Sequence, residues 1–268
     1  MIKCHTSPKL SVEEARIHAH LCADGYLYVS KEREEGRWRK RYHIRYSNTQ
    51  EILRKEFAND VLNAYNRKAV QCQKNEIEIK AKWIFQRLSN LGAGNSHKWF
   101  IGSEILKSPK AVKVAWLKAF FDDEARVELP NPPKDYHRRI TIKSVNKGGL
   151  LQVQSLLKEL SVKSVITGEN SDKTYYLRIS EEEDIYRYAQ SIGFNHPKKN
   201  VDLNNLKSQP RRHFKPKGRC YRGFECRQPK KLNRSRGTWS SNIFTTAAET
   251  SNSQKYRGTS LRSSNGPR

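Results

Sequence analysis

The sequence is poor in acidic residues and cysteine, and it lacks long apolar runs. Only 27 Asp and Glu stand against 52 Lys and Arg, so the 268-residue chain has a formal charge of +25 and favours a polyanionic partner. Its 5 cysteines are scattered, which excludes a disulfide framework or a CxxC zinc pair and is typical of a reducing compartment. No run approaches the roughly 18 apolar residues that span a membrane, and no signal-peptide core is present. We therefore expect a cytoplasmic or nucleoid-associated protein without a membrane partner.

The basic charge is concentrated toward the end of the sequence. Residues 198–268 hold 18 Lys and Arg against 3 Asp and Glu, with few apolar residues. We predict that residues 201–268 form a basic, low-complexity and disordered tail. Phe214, Tyr221 and Phe224 lie among its bases, which is the composition of a nucleic-acid-binding segment but also of a solvated tail with incidental aromatics.

Two similar units precede this tail, about 100 residues apart. Ser11–Gly25 has the pattern of an amphipathic helix with Ser11 as N-cap, and Pro109–Ala125 repeats it with Ser108 as N-cap and Pro109 at the first helical position. The segment IRYSN at residues 44–48 resembles IKSVN at residues 142–146. Each unit reads helix–strand–strand–helix–strand–strand–helix, so we predict a duplicated α+β fold.

One strand of each unit carries basic residues on alternate positions. Residues 39–46 alternate between a basic set and a largely apolar set, and residues 139–143 repeat the arrangement. An antiparallel ribbon with such a face fits the DNA major groove, although any half-exposed sheet has a polar outer face. The candidate DNA-binding residues are Arg37, Arg39, Arg41, His43, Arg45, Lys80, Arg139, Thr141, Lys143 and Arg178.

Both predicted helices end in acidic motifs that resemble a known family. The segments IHAHLCADG (residues 17–25) and LKAFFDDEA (residues 117–125) are similar to the two signature motifs of LAGLIDADG homing endonucleases. SIGFNHPKK (residues 191–199) also resembles the sequence that closes the second half of this family. The resemblance covers roughly residues 10–200.

The resemblance implies an architecture and a site. It implies a pseudo-twofold monomer of duplicated αββαββα units with saddle-shaped antiparallel sheets on the DNA, residues 10–100 forming the first half and residues 104–200 the second. The two motif helices would pack together at the centre. The acids at the eighth motif positions are Asp24 and Glu124, which the resemblance implies as catalytic residues and as ligands of Mg²⁺ or Mn²⁺. Two carboxylates would also repel a nearby phosphate unless a divalent cation lay between them.

A lysine is the third candidate catalytic residue. The segment IEIKAKWIF resembles the family's strand end, which makes Lys82 the candidate, with a surface lysine as the alternative. Glu182 occupies the corresponding position in the second half. Asp123 stands where a small residue of the helix interface is expected, and Ala125 replaces the final glycine. Asp122 is expected to be structural, and His18 and His20 to be packing or phosphate-contact residues.

We therefore predict a site-specific, Mg²⁺-dependent double-strand DNA endonuclease with a long asymmetric target. An RNA-binding maturase that acts on its intron RNA is an alternative of another class. A DNA-binding protein of the same fold that has lost cleavage is a third, to which Asp123 and Glu182 give weight.

Overall fold

Two units with the same order of elements follow one another in the computed structural model, which describes residues 10–131 and 137–208. The first unit contains α1 (Val12–Ala23), β1 (Gly25–Glu34), β2 (Arg37–Ser47), α2 (Glu51–Tyr65), β3 (Val70–Gln73), β4 (Glu76–Lys80) and α3 (Lys82–Asn90). The second contains α5 (Lys110–Glu124), β5 (Ala125–Glu128), β6 (Arg139–Ser144), α6 (Lys147–Glu159), β7 (Val165–Thr167), β8 (Tyr175–Ile179) and α7 (Glu182–Ser191). The short helix α4 (Ser103–Leu106) lies between the units, and α8 (Pro197–Ser208) follows the second. The predicted duplicated α+β fold is confirmed.

Each unit forms its own four-stranded antiparallel sheet with equivalent topology. The strand orders are β1-β2-β4-β3 and β5-β6-β8-β7. The first residue of the strand that follows each motif helix pairs at an equivalent place, since Gly25 lies opposite Tyr46 and Ala125 opposite Ile142. Equivalent positions of β2 and β6 are therefore 96 residues apart, so the match of IRYSN with IKSVN is shifted by two residues from the register of the strands.

The two motif helices begin differently. Ser11 caps α1, because its Oγ accepts a hydrogen bond of 3.1 Å from the Glu14 backbone N–H, as predicted. The prediction for α5 was wrong by one residue, since Pro109 is the N-cap and the helix begins at Lys110. The Ser108 hydroxyl donates instead to the carbonyl of Ile105 at the end of the preceding short helix.

The core lies between α1 and α5, which pack against each other and against the inner faces of the sheets. Small and branched side chains of α1, such as Ala15 and Ile17, are fully buried. Trp116 and Phe120 of α5 are also buried and stack with ring centroids 5.0 Å apart. Aromatic burial of this extent is a main source of apolar stabilisation. The Trp116 indole N–H also donates to Nδ1 of His18 on α1 at 2.9 Å, which joins the two motif helices.

The final motif residues are not equivalent. A Cβ at Gly25 would lie 2.8 Å from the Leu21 Cα and 3.0 Å from the Arg45 carbonyl oxygen, so this junction has no room for a side chain. Ala125 instead begins β5 in an ordinary extended conformation and is buried. The replacement of the second motif's glycine therefore fits its own surroundings.

The predicted boundary of the basic tail was wrong by eight residues. Helix α8 continues through residue 208 and buries Leu203 and Leu206, so residues 201–208 belong to the folded part. Residues 209–268, with the aromatic and basic segment proposed to bind nucleic acid, lie outside the described residues. Within residues 10–131 and 137–208, every helix is too short or too polar to cross a bilayer.

Candidate active site at the ends of the motif helices

The fold brings the two motif acids, Asp24 and Glu124, to one place. Asp24 is the C-cap of α1 and Glu124 is the last residue of α5, so the contact between these helices aligns their acidic ends. Asp24 is open to solvent on one side, but surrounding protein atoms and the Asp123 carboxylate raise its pKa to about 6. Burial and the carboxylates of Asp24 and Asp123 raise the pKa of Glu124 to about 7. The acids thus lie within electrostatic range of one another.

Asp123 lies between the two units and accepts three hydrogen bonds. Its Oδ2 is 2.7 Å from Nδ1 of His20 on α1, and its Oδ1 accepts from the Tyr46 hydroxyl at 2.8 Å and from Asn48 Nδ2 at 3.0 Å. The side chains of His20 and Asp123 are both fully buried. Burial lowers the pKa of His20, but the Asp123 carboxylate outweighs it and the net pKa is raised. The carboxylate that replaces the expected small residue is therefore fully hydrogen-bonded.

Asp122 has the structural role predicted for it. Its carboxylate accepts the backbone N–H groups of Asn195 and His196, with distances of 2.9 to 3.1 Å, just before α8 begins. Burial raises the pKa of Asp122 to about 7 against the effect of these donors. The interaction anchors the start of α8 to the end of α5.

Lys199 is the lysine that the structure brings to the acids. Its ammonium donates to the carbonyls of Phe121, Asp122 and Asp123, at 3.3, 2.6 and 3.0 Å, and so caps the end of α5. Burial lowers the pKa of Lys199 overall, although the nearby carboxylates, Asp123 foremost and Asp24 and Glu124 among them, act in the opposite direction. Sequence reasoning missed this lysine, although it is the final residue of the SIGFNHPKK segment.

Lys82 does not occupy that position. It is the first residue of α3, and its ammonium lies 5.8 Å from the centroid of the Tyr42 ring. Along β2, Tyr42 is four residues from Tyr46, the residue that contacts Asp123. Four strand residues span roughly 13 Å. The position of Lys82 therefore argues against a catalytic role for it. In the strand register, β4 ends opposite His43 and not beside the acids.

The outer face of the first sheet is not basic as predicted. The strands beside β2 add Glu32, Glu34, Glu76 and Glu78 to this face. Arg45 Nε donates to Glu78 at 2.7 Å, and Glu34 forms ion pairs with both Arg39 and Arg41. Lys80 lies 3.6 Å from Glu78, and Arg37 is opposite Glu34 in the strand register. The prediction from β2 alone was wrong because cross-strand neighbours, which one strand does not reveal, largely balance its charge.

His43 is also unavailable for base contacts as it stands. Only 3% of its surface is exposed, and its ring stacks on Tyr28 with centroids 4.3 Å apart. Its nitrogens lie 2.8 Å from the Ser30 hydroxyl and 2.8 Å from Glu78. His43 therefore acts as a rigid support within the face.

The second sheet retains more unbalanced positive charge. Arg139 pairs with Glu128, and Lys143 pairs with Asp172 at 2.6 Å. Arg178 lies over the Tyr176 ring, with its guanidinium carbon 4.8 Å from the centroid. Arg126, which we did not predict, lies on the same face as Arg178, on the other side of Thr141. Within the described ranges neither of these arginines forms an ion pair.

Thr141 lies on the same outer face but is only 5% exposed. The strand register places it between Arg126 and Arg178, whose long side chains flank it. The predicted base contact by Thr141 is therefore not available in this conformation.

The donors at the helix ends fit a hard divalent cation. Carboxylate oxygens are the ligands that Mg²⁺ and Mn²⁺ prefer, and the mutual repulsion of Asp24 and Glu124 would be relieved by a cation between them. In residues 10–131 and 137–208, no group of three or more His, Cys, Asp or Glu side chains is placed to hold a metal. A cation here would therefore also need water or phosphate oxygens, as Mg²⁺ commonly does.

Comparisons with known proteins agree with this geometry. Residues 111–193 match the family model of the LAGLIDADG-like domain. Homing endonuclease I-ApeI of Aeropyrum pernix is 24% identical over 182 residues, which cover 64% of this chain and 80% of that protein. I-DmoI in complex with DNA and Mn is 20% identical, with a TM-score of 0.51 over 68% of this chain and 96% of that one.

A second I-DmoI structure, in complex with DNA and Ca, is 19% identical and has a TM-score of 0.53 over 74% of this chain and 99% of that one. These similarities establish the fold, and the family model covers the second motif and most of its unit. Residues 111–193 therefore match a LAGLIDADG-like domain, and the duplicated fold with two acid-ended motif helices is similar to that of I-DmoI.

Proposed function

We propose that the protein is a site-specific DNA endonuclease that hydrolyses phosphodiester bonds in both strands with Mg²⁺ or Mn²⁺. The observation that carries this proposal is the convergence of Asp24 and Glu124, one from each motif helix, beside the half-buried Lys199. The named relatives I-ApeI and I-DmoI are homing endonucleases, and I-DmoI is described with DNA and Mn, which supports the same activity here.

The residues of the site have separate roles in this proposal. Asp24 and Glu124 would hold the cation, which when bound would neutralise a scissile phosphate and activate water. Lys199 offsets the charge of the carboxylates and fixes the end of α5 through its three carbonyl contacts. Asp122 anchors α8, the helix that carries Lys199.

The two sheets suit different half-sites. In the first sheet, arginines are held by carboxylates, whereas in the second, Arg126 and Arg178 are without such partners in the described part of the chain. Arginines of either kind present donors to base edges or phosphates. A single chain with two unlike faces fits an asymmetric duplex target and a monomeric enzyme.

The test is cleavage of a supercoiled plasmid that carries the joined DNA sequences flanking the gene. We expect linear product with Mg²⁺ or Mn²⁺ and none with EDTA. Asp24→Asn and Glu124→Gln should each abolish linear product while gel-shift binding of the same duplex with Ca²⁺ persists. Glu51→Gln, which alters an exposed acid at the start of α2, is the matched control and should cut normally. Unchanged cutting by both site variants would refute the assignment.

A second candidate is a maturase or other nucleic-acid-binding protein of the same fold that does not cut. Asp123 gives this candidate weight, because an acid stands there in place of the small interface residue expected from the motif. Filter binding that compares the target duplex with intron RNA distinguishes them. Tighter RNA binding without cleavage in either metal would favour this second candidate.

A further inference from the structure

Asn48 connects the acid predicted to bind metal with the unexpected acid of the second motif. Its Nδ2 donates to Asp24 Oδ2 at 3.2 Å and to Asp123 Oδ1 at 3.0 Å. Its Oδ1 accepts the Gln50 backbone N–H at 2.8 Å, so the amide oxygen is engaged and the Nδ2 group is directed toward the carboxylates. One side chain thus bridges Asp24 and Asp123.

The main chain around this bridge is also fixed. Backbone N–H groups of Ser47 and Asn48 donate to the carbonyls of Asp24 and Asn75, at 3.2 and 2.9 Å, and the Arg54 guanidinium donates to the Asn48 carbonyl. On the other side, Asp123 is held by His20 and Tyr46. Asp24 is therefore oriented through a chain of hydrogen bonds that begins in the buried interface of the motif helices.

The second unit has a serine where the first has Asn48. Asn48 and Ser144 each lie two residues before the N-cap of the following helix, which is Gln50 for α2 and Asn146 for α6. The Ser144 Oγ accepts the backbone N–H of Asn146 at 3.2 Å, as the Asn48 Oδ1 accepts that of Gln50. The Asn146 Nδ2 donates to the Trp99 carbonyl at 2.6 Å and so serves the main chain. Within residues 10–131 and 137–208, no hydrogen-bond donor holds the Glu124 carboxylate.

We propose that Asp123 and Asn48 are positioning residues that orient the Asp24 carboxylate toward a divalent cation, and that Glu124 has no equivalent support. This inference rests on the proposed function for the identity of the metal-binding acids. It assigns a role to the acid that occupies the interface position. It also makes the two motif acids unequal. Cleavage of the DNA strand at Asp24 should depend on Asp123 and Asn48, whereas cleavage of the other DNA strand should not.

The first test measures Mn²⁺ binding to the full chain by electron paramagnetic resonance, which does not depend on cleavage. Removing a hydrogen-bond partner of a metal ligand typically lowers affinity by about 10–100-fold. We expect Asn48→Ala and Asp123→Ala each to weaken Mn²⁺ binding by about tenfold. The double variant should bind Mn²⁺ no more weakly than the weaker-binding of the two single variants. Both changes interrupt the same chain of hydrogen bonds, so their effects should not add. Asn90→Ala, at an exposed position at the end of α3, is the control and should bind as the wild type does.

Asp123→Asn separates positioning from packing. An asparagine there keeps an Oδ1 acceptor for Tyr46 and Asn48 and nearly the same volume, so it should restore Mn²⁺ affinity to within a few-fold of wild type. Thermal unfolding of every variant identifies any that fail to fold. A folded Asp123→Ala or Asn48→Ala variant with wild-type Mn²⁺ affinity would overturn the inference, and so would a wild-type chain that binds no Mn²⁺.

The second test follows each strand of the end-labelled target duplex. Asp123→Ala and Asn48→Ala should slow the cleavage of one DNA strand by about tenfold more than the cleavage of the other. Equal slowing of both strands would overturn the claimed inequality. If no protein cuts but the Mn²⁺ pattern is as expected, the proposed nuclease function fails while the positioning roles remain.

Discussion

His18 should make the stability of this protein fall in mildly acidic solution. The residue is fully buried, and its Nδ1 accepts a hydrogen bond of 2.9 Å from the Trp116 indole N–H across the motif-helix interface. Burial lowers the pKa of His18 from 6.5 to about 3. Protonation would place a hydrogen on Nδ1, which would then face the indole N–H, and would put a charge in the core. The folded state therefore excludes the proton that the unfolded chain binds.

The sign and size follow from this difference. Because the folded pKa lies below the unfolded one, the full contribution of His18 to stability is present above pH 6.5 and is lost progressively as the pH falls toward 3. The limiting slope is about 1.4 kcal/mol per pH unit, and between pH 7 and pH 5 the loss is about 2 kcal/mol. Other groups of the core titrate in the same range, so only a comparison with a variant isolates this one.

The assay is urea unfolding of wild type and His18→Gln at pH 7 and pH 5. A glutamine carbonyl can accept the Trp116 hydrogen bond but does not titrate. We expect the variant to be less stable at pH 7 and to lose about 2 kcal/mol less than wild type on acidification. Parallel losses in both proteins would refute the reasoning, since they would show that His18 is not excluded from protonation in the folded state.

Two further predictions concern charge. Lys199→Met should remove the cap of α5 and leave the nearby carboxylates unbalanced, so we expect a loss of about 2–3 kcal/mol in urea unfolding together with weaker cleavage; unchanged stability would contradict the capping role. Glu78→Gln should release Arg45 and raise duplex affinity several-fold at low salt, with a steeper salt dependence, measured by fluorescence anisotropy over a KCl series. Glu51→Gln is its control, and equal effects of the two changes would show that the Arg45 ion pair is irrelevant.

Much of the fold could be predicted because its signals are local or repeated. The cap of α1 by Ser11, the order of elements and the correspondence of the two units all depend on neighbouring residues or on a fixed spacing. The start of α5 was misplaced by one residue because Ser108 had a competing acceptor in Ile105. Boundaries of this kind depend on hydrogen bonds that a pattern of residue types does not specify.

The site was predictable only in part. Asp24 and Glu124 came from motif position, and the structure does bring them together. The lysine beside the acids is Lys199, on the last helix of the described residues, whereas the candidate Lys82 lies over the Tyr42 ring. The basic face was misread because each arginine of β2 has a carboxylate neighbour on another strand. Contacts between distant segments decide both features.

The sequence by itself determined the duplication, the two acid-ended helices and the resemblance of their motifs to the LAGLIDADG family. It also marked Asp123 as the residue that did not fit its motif. Only the tertiary structure decided what this acid does, because its partners His20, Tyr46 and Asn48 are 75 to 103 residues away in the chain. A buried carboxylate is tolerated only where donors converge on it, and that convergence is a property of the packed helices and of β2, not of any one segment.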